Sequence, residues 1–170
     1  MTVVGDPRQG TYSANDSGKN RKYRRRGVAD WLKKRTDRCA IQEHTLSYRC
    51  NQQICDFADA LYPDLPRTES KNNDLTGHDG IFFTPAQVAS YTEQHQPTVL
   101  RWNRKTNTLG LSATNMGQSK GQTFDRVLIF PTSKMKTYLH TRNLADAGDR
   151  AKFYVAVTRA RHSVTFVIGG

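Results

Sequence analysis

The sequence predicts an α/β protein with a largely parallel sheet flanked by helices, and three observations predict it. Short apolar, β-branched runs at Gly80–Thr84, Thr98–Arg101 and Ser163–Ile168 read as strands. Arg126-Val-Leu-Ile-Phe130 is a near-continuous apolar run, as in a parallel strand covered on both faces. Segments with helical spacing or capping residues fall between these runs, and strands that alternate with helices build parallel sheets.

The chain of 170 residues has room for one domain with a real core, or one domain plus a tail. Apolar residues make up only 36%, so part of the chain is expected to be loop or unstructured. A net charge of +11 predicts an anionic partner, most often nucleic acid; a basic tail that only aids solubility accounts for part of it. Cys39, Cys50 and Cys55 form no even set and match no metal spacing, which points to reduced thiols in a cytoplasmic protein without a metal site. No apolar run approaches the ~20 residues that span a membrane. No apolar signal core precedes Gly5-Asp6-Pro7.

Taken in order, Thr2-Val3-Val4 is a short β-type run that stops at Gly5-Asp6-Pro7-Arg8-Gln9, a sharp turn at a strand end. Gln9 could reach a phosphate or a water there, or the turn is generic. Residues 10–38 are polar and basic, and read as a linker or an arm on nucleic-acid backbone, or as a solvated tail. Within them Val28 to Leu32 could form one or two amphipathic turns. Ala40 to Leu46 reads as a strand. Asn51 is a good N-cap for a helix over Gln52 to Tyr62, where Ile54, Phe57, Ala58 and Leu61 share a face and Pro63 ends it. Arg49 thus sits at a strand-to-helix corner, as a ligand contact or an ordinary surface arginine.

Thr84-Pro85 should start a helix that ends near Gln94. The strand Thr98–Arg101 leads into Trp102-Asn103-Arg104-Lys105, composed either to stack a base and neutralise a phosphate or to form an ordinary exposed loop. Leu109 to Ala113 is a weak strand. The loop Thr114 to Asp125 carries glycines and small polar side chains that let a backbone approach a phosphate or ribose. Lys134 to His140 should be a short helix. Gly148-Asp149 could start the last helix, with Phe153, Val157 and Ala160 at helical spacing. Arg159 and Arg161 near its end would be held rigidly beside the sheet edge, to meet an anion or to offset the helix macrodipole.

Four separated motifs then line up. Val4-Gly-Asp-Pro-Arg-Gln9, Leu46-Ser-Tyr-Arg49, Gly117-Gln-Ser-Lys-Gly-Gln-Thr-Phe-Asp125 and Tyr154-Val-Ala-Val-Thr-Arg-Ala-Arg161 resemble motifs III, IV, V and VI of superfamily 1 DNA helicases of the UvrD/Rep kind, in the family's order. The resemblance runs over residues 3–168 and is thin between Leu65 and Lys105.

It implies a RecA-like fold that lacks its own phosphate loop, since no Gly-x-x-x-x-Gly-Lys-Thr/Ser and no Asp-Glu pair after a strand is present. In that family ATP binds between two RecA-like domains. By resemblance Arg49 and Arg159 are the arginine fingers and Gln9 the γ-phosphate sensor. Lys120, Gly121, Thr123 and Arg161 lie at the ATP site; Thr123 stands where many UvrD-like members carry a glutamate. Thr114, Asn115 and Ser119 would meet single-stranded DNA, joined from the residue reading by Trp102 and Arg104. Residues 1–38 would then be the end of a first domain plus a basic linker, expected to be poorly ordered alone, and residues 39–170 the second domain. ATP and Mg2+ would be held mainly by the N-terminal RecA-like ATPase domain, in the same gene or a separate subunit, and the fragment alone would be inactive. The alternative is a stand-alone nucleic-acid-binding module without catalysis.

Overall fold

The computed structural model describes residues 2, 4–11, 18–23, 27–35, 40–85 and 88–169. Val3 of the expected first strand, Arg24–Arg26 and Arg38 of the basic segment, and Cys39 lie outside them. Two short parallel strands, β1 (Leu46–Ser47) and β2 (Glu69–Ser70), pair with each other. The main sheet holds β3 (Gly80–Thr84), β4 (Thr98–Arg101), β5 (Thr114–Asn115), β6 (Phe124–Phe130) and β7 (Ala160–Val167). Its order is β3-β7-β6-β4-β5 and every pairing is parallel, as the sequence predicted. The helices are α1 (Gly27–Lys33), α2 (Gln52–Asp59), α3 (Ala89–His95), α4 (Ser133–Thr141) and α5 (Arg150–Val157).

Alternation along a strand sends neighbouring side chains to opposite faces. On β6, Val127 and Ile129 pack with Val164 and Phe166 of β7 against α2, α4 and α5, through Ile54, Phe57, Met135 and Phe153. Leu128 and Phe130 face the other way, onto Val99, Val167 and Val88 at the start of α3. Both faces of β6 are therefore covered, which is why its sequence lacks polar alternation. Three rings, Phe57, Phe153 and Phe166, meet edge-on or tilted at the centre of the larger core.

Several elements differ from expectation, each for a local reason. Of the strand expected over 40–46 only Leu46 pairs, together with Ser47 beyond it, because Ile41 to His44 are exposed and have no neighbouring strand among the described residues. Its partner, Glu69–Ser70, lies in a stretch that reads as loop. The helix after Thr84–Pro85 begins only at Ala89, with no side-chain cap at Val88. The strand expected over 109–113 is absent: Leu109 takes φ 56° and Gly110 φ 83°, which turns the chain and moves the pairing to Thr114–Asn115. The last helix is capped by Asp149 as expected, through the Lys152 amide at 3.2 Å. It stops at Val157, so Ala160 opens β7 instead of closing α5.

Candidate functional site

Because the sheet is parallel, its strands share two rims. At the amino rim, α5 ends and the chain turns through Thr158 and Arg159 into β7. The Thr158 amide and hydroxyl both bond back to the Tyr154 carbonyl, at 3.0 and 2.9 Å, and fix that corner. Arg159 folds over it. Nε donates to the Val155 carbonyl at 3.1 Å, Nη1 to the Gln122 carbonyl at 3.2 Å, and Nη2 to the Thr158 hydroxyl at 3.2 Å. Arg159 is only 2% exposed. All three partners are neutral, and among the described residues no ion pair includes this guanidinium.

Arg49 reaches the same corner from a distant part of the chain. Its Nη1 donates to the Thr158 carbonyl at 3.1 Å. Burial, and then the charge of Arg49, pull the Arg159 pKa below its ordinary value. Cys50, whose thiol contacts the Thr158 carbonyl at 3.5 Å, also has its pKa lowered. The main cause is its hydrogen bond with Cys55, with Arg49 adding to it against the opposing effect of burial. Two cations converge on one corner, and among the described residues neither forms an ion pair, an arrangement suited to receive an anion.

The Gly5–Gln9 turn lies on the same rim. Pro7–Gln9 form one 3-10 turn, capped by Asp6, whose carboxylate accepts from the Arg8 amide and from the Gln9 side-chain amide, each at 2.9 Å. The Gln9 carbonyl accepts from Lys120 Nζ at 2.9 Å. Lys120 and Gln122 belong to one turn, closed by the Gln122 amide on the Ser119 carbonyl at 3.0 Å. That turn ties Gln9 on one side to Arg159 on the other. Gly121 has φ +87°, a conformation that L side chains rarely adopt. Thr123 is exposed beside it.

Arg161 stands apart from this group. On β7 its guanidinium faces Asp74 at 3.6 Å and Asp125 at 3.8 Å, beside the buried His162.

The carboxyl rim holds Thr114, Asn115, Trp102 and Arg104. Thr114 and Asn115 form β5, and the Asn115 side-chain oxygen accepts from Arg101 Nε at 3.2 Å. Trp102 carries Lys152 Nζ 4.2 Å from its ring centroid, and Arg104 is exposed. Ser119 is fully buried and donates to the Met116 carbonyl at 2.7 Å, so its hydroxyl faces inward. The seven residues of β6 separate the rims, roughly 20 Å at the usual rise. The stretch 116–123 runs between them.

Reasoning from sequence missed Arg8, Asp59, Thr68 and Tyr154, which attach the Gln9 turn to the body. A buried acid at the end of an amphipathic helix was the available signal for Asp59. Among the described residues no cluster of three His, Cys, Asp or Glu side chains could hold a metal ion. Among them no helix is long and apolar enough to cross a membrane.

The family described as viral superfamily 1 RNA helicase core domain matches residues 1–168. Among solved structures, the PRRSV nsp10 helicase is 25% identical with a TM-score of 0.46, over 72% of this chain and 23% of that one. The Arterivirus nonstructural protein 10 helicase in complex with DNA is 19% identical with a TM-score of 0.47, over 72% of this chain and 25% of that one. The C-terminal domain of a possible DNA helicase from Lactobacillus plantarum WCFS1 is 18% identical with a TM-score of 0.43, over 73% of this chain and 88% of that one. The chain thus spans about a quarter of the length of the viral helicases it is similar to. No curated protein matches it significantly.

Proposed function

The chain belongs to the viral superfamily 1 RNA helicase core-domain family, and from that premise we propose that it is the C-terminal lobe of an ATP-dependent helicase or translocase. Residues 1–38 are then the end of a preceding RecA-like domain and its linker, and residues 39–170 the second RecA-like domain. The observation that carries the reading is Arg159, a buried guanidinium with neutral partners and a second arginine beside it.

ATP with Mg2+, held mainly by the preceding domain, supplies the transferable phosphoryl group when bound. Arg159 and Arg49 neutralise the charge that gathers on that group as it leaves. In related chemistry such arginines accelerate transfer by on the order of 10³-fold or more. The Gln9 side-chain amide senses the γ-phosphate, and Lys120 and Gly121 line the approach, with Thr123 toward the sugar. Arg161 would have to leave Asp74 and Asp125 to reach the nucleotide. Trp102, Arg104, Thr114 and Asn115 at the carboxyl rim contact single-stranded nucleic acid, and Ser119 supports the loop from within. The phosphate-loop lysine and the metal-binding acids belong to the other domain, so this chain alone turns over no ATP.

The finer assignment to a UvrD/Rep-like, DNA-directed enzyme rests on the motifs. Fluorescence anisotropy with matched single-stranded DNA and RNA oligonucleotides separates it from an RNA-directed one. Affinity should fall with salt at a log–log slope of about 0.7 per phosphate contacted, and Arg104→Ala should lower that slope. A response without salt dependence would refute the nucleic-acid role. Salt-dependent binding with no response of the protein to tripolyphosphate would favour a stand-alone nucleic-acid-binding module.

A further inference from the structure

Gln9 itself makes few contacts with the body of the protein. Its side chain bonds to Asp6 within its own turn, and its carbonyl accepts from the nearby Thr11 amide at 2.8 Å and from the tip of the exposed Lys120. Arg8 is bound far more firmly. Its Nη1 donates to Asp59 at 3.1 Å and to the Thr68 hydroxyl at 3.2 Å, and its Nε to Asp6 at 3.0 Å. The guanidinium lies 5.0 Å from the centroid of the Tyr154 ring, and the Arg8 carbonyl accepts from the Tyr62 hydroxyl at 3.3 Å. The Arg8 and Asp59 side chains are only 16% and 11% exposed.

The receiving side is organised in advance. Asp59 closes α2, and its carboxylate also accepts the Thr68 amide at 2.5 Å and the Thr68 hydroxyl at 3.0 Å. A carboxylate held this way presents a fixed oxygen to an incoming guanidinium. A 3-10 turn rotates about 120° per residue. Arg8 and Gln9 therefore point in different directions, one into the body and one along the rim.

We propose that Asp59, Thr68, Tyr62 and Tyr154 form a docking surface for the Gly5–Gln9 turn, with Arg8 as the latch residue that positions Gln9 on the rim of Arg159. The interdomain meaning of this latch rests on the reading of residues 1–38 given above. Arg8 would then be carried by one domain and Asp59 by the other, and the ion pair would form as the cleft between them closes. Arg8 is a positioning residue in this scheme, acting through Gln9.

The test is amide exchange by NMR on the whole chain. Arg8→Gln and Asp59→Asn should each speed exchange at Gln9 and Thr11 by roughly tenfold, as expected for local opening, while Leu128 and Val164 amides keep their protection. The double variant should exchange no faster than either single one, because both lose the same contact. The reversed pair, Arg8→Asp with Asp59→Arg, should recover part of the protection, which a purely steric role for Arg8 would not allow. Additive effects, no recovery, or unchanged exchange would overturn the latch. Millimolar tripolyphosphate should slow Gln9 exchange in the parent chain only. If the variants behave as stated and tripolyphosphate does nothing, the latch stands and the nucleotide reading of the site falls.

Discussion

Replacing Arg159 by methionine tests whether that side chain is a structural plug or a cation kept for an anion. Its three hydrogen bonds come from a charged donor, and bonds of that kind contribute about 1.5–3 kcal/mol each. Against them stands the burial of a guanidinium that forms no ion pair among the described residues, with Arg49 at the same corner, a penalty of several kcal/mol. The two nearly offset. Thr158 keeps its own bond to Tyr154 in the variant, and methionine fills most of the vacated volume. Arg159→Met should therefore change stability by about 1 kcal/mol or less, against ~3–5 kcal/mol for breaking a buried, partnered ion pair. For a chain of this size that is a shift in Tm of roughly 2–4 °C. The two proteins should part when tripolyphosphate is added. At 100 times its Kd an anion stabilises the parent by about 2.7 kcal/mol through mass action, and the variant should lose most of that gain. Thermal melts with and without tripolyphosphate at fixed ionic strength read both numbers. A drop of ~3 kcal/mol or more without anion, or an undiminished anion effect in the variant, would refute the reasoning.

Three further outcomes follow from the geometry. Burial, then His95 and Arg126, hold the His78 pKa below its ordinary value. The unfolded chain therefore binds the proton more readily, and stability should fall as pH drops through about 6.5 toward the lower folded value. His78→Gln should flatten that limb of the melting curve against pH, and an unchanged limb would rule His78 out as its source. Gly121→Ala should lose about 1 kcal/mol in a urea melt, because φ +87° is strained for an L residue although nothing within 4 Å would meet the new methyl; a neutral result would mean that the turn relaxes. Asn51→Ala removes both the cap on the Ile54 amide and the 2.6 Å bond to the His162 carbonyl. It should lower stability by about 1–3 kcal/mol, and a change under half that would show that the carbonyl finds another donor.

The strands of the main sheet were legible where their side chains carry the reason for their burial. β3, β4, β6 and β7 are apolar because α2, α4 and α5 cover one face of the sheet and α3 part of the other. β1, β2 and β5 were misplaced or missed because each is a two-residue ladder. So short a pairing depends on where another loop passes, and that information lies elsewhere in the chain. Asn51 and Asp149 were readable as caps since a cap is satisfied within one turn of its own residue.

The site divides along the same line. Arg49 and Arg159 stand in motifs that could be recognised, but no spacing rule says that Arg49 reaches the Thr158 carbonyl, 109 residues on, at the corner where Arg159 folds over. Their meeting is a property of the parallel sheet, which returns each crossover to the same rim. The Gln9 turn shows the limit most clearly. Its motif names Gln9 as the functional side chain, while the contacts that hold it belong to Arg8, through Asp59 and Tyr154. A residue that touches ligand can be marked by its chemistry. A residue that positions it is marked only by its neighbours, and those neighbours exist only once α2 and α5 have packed side by side.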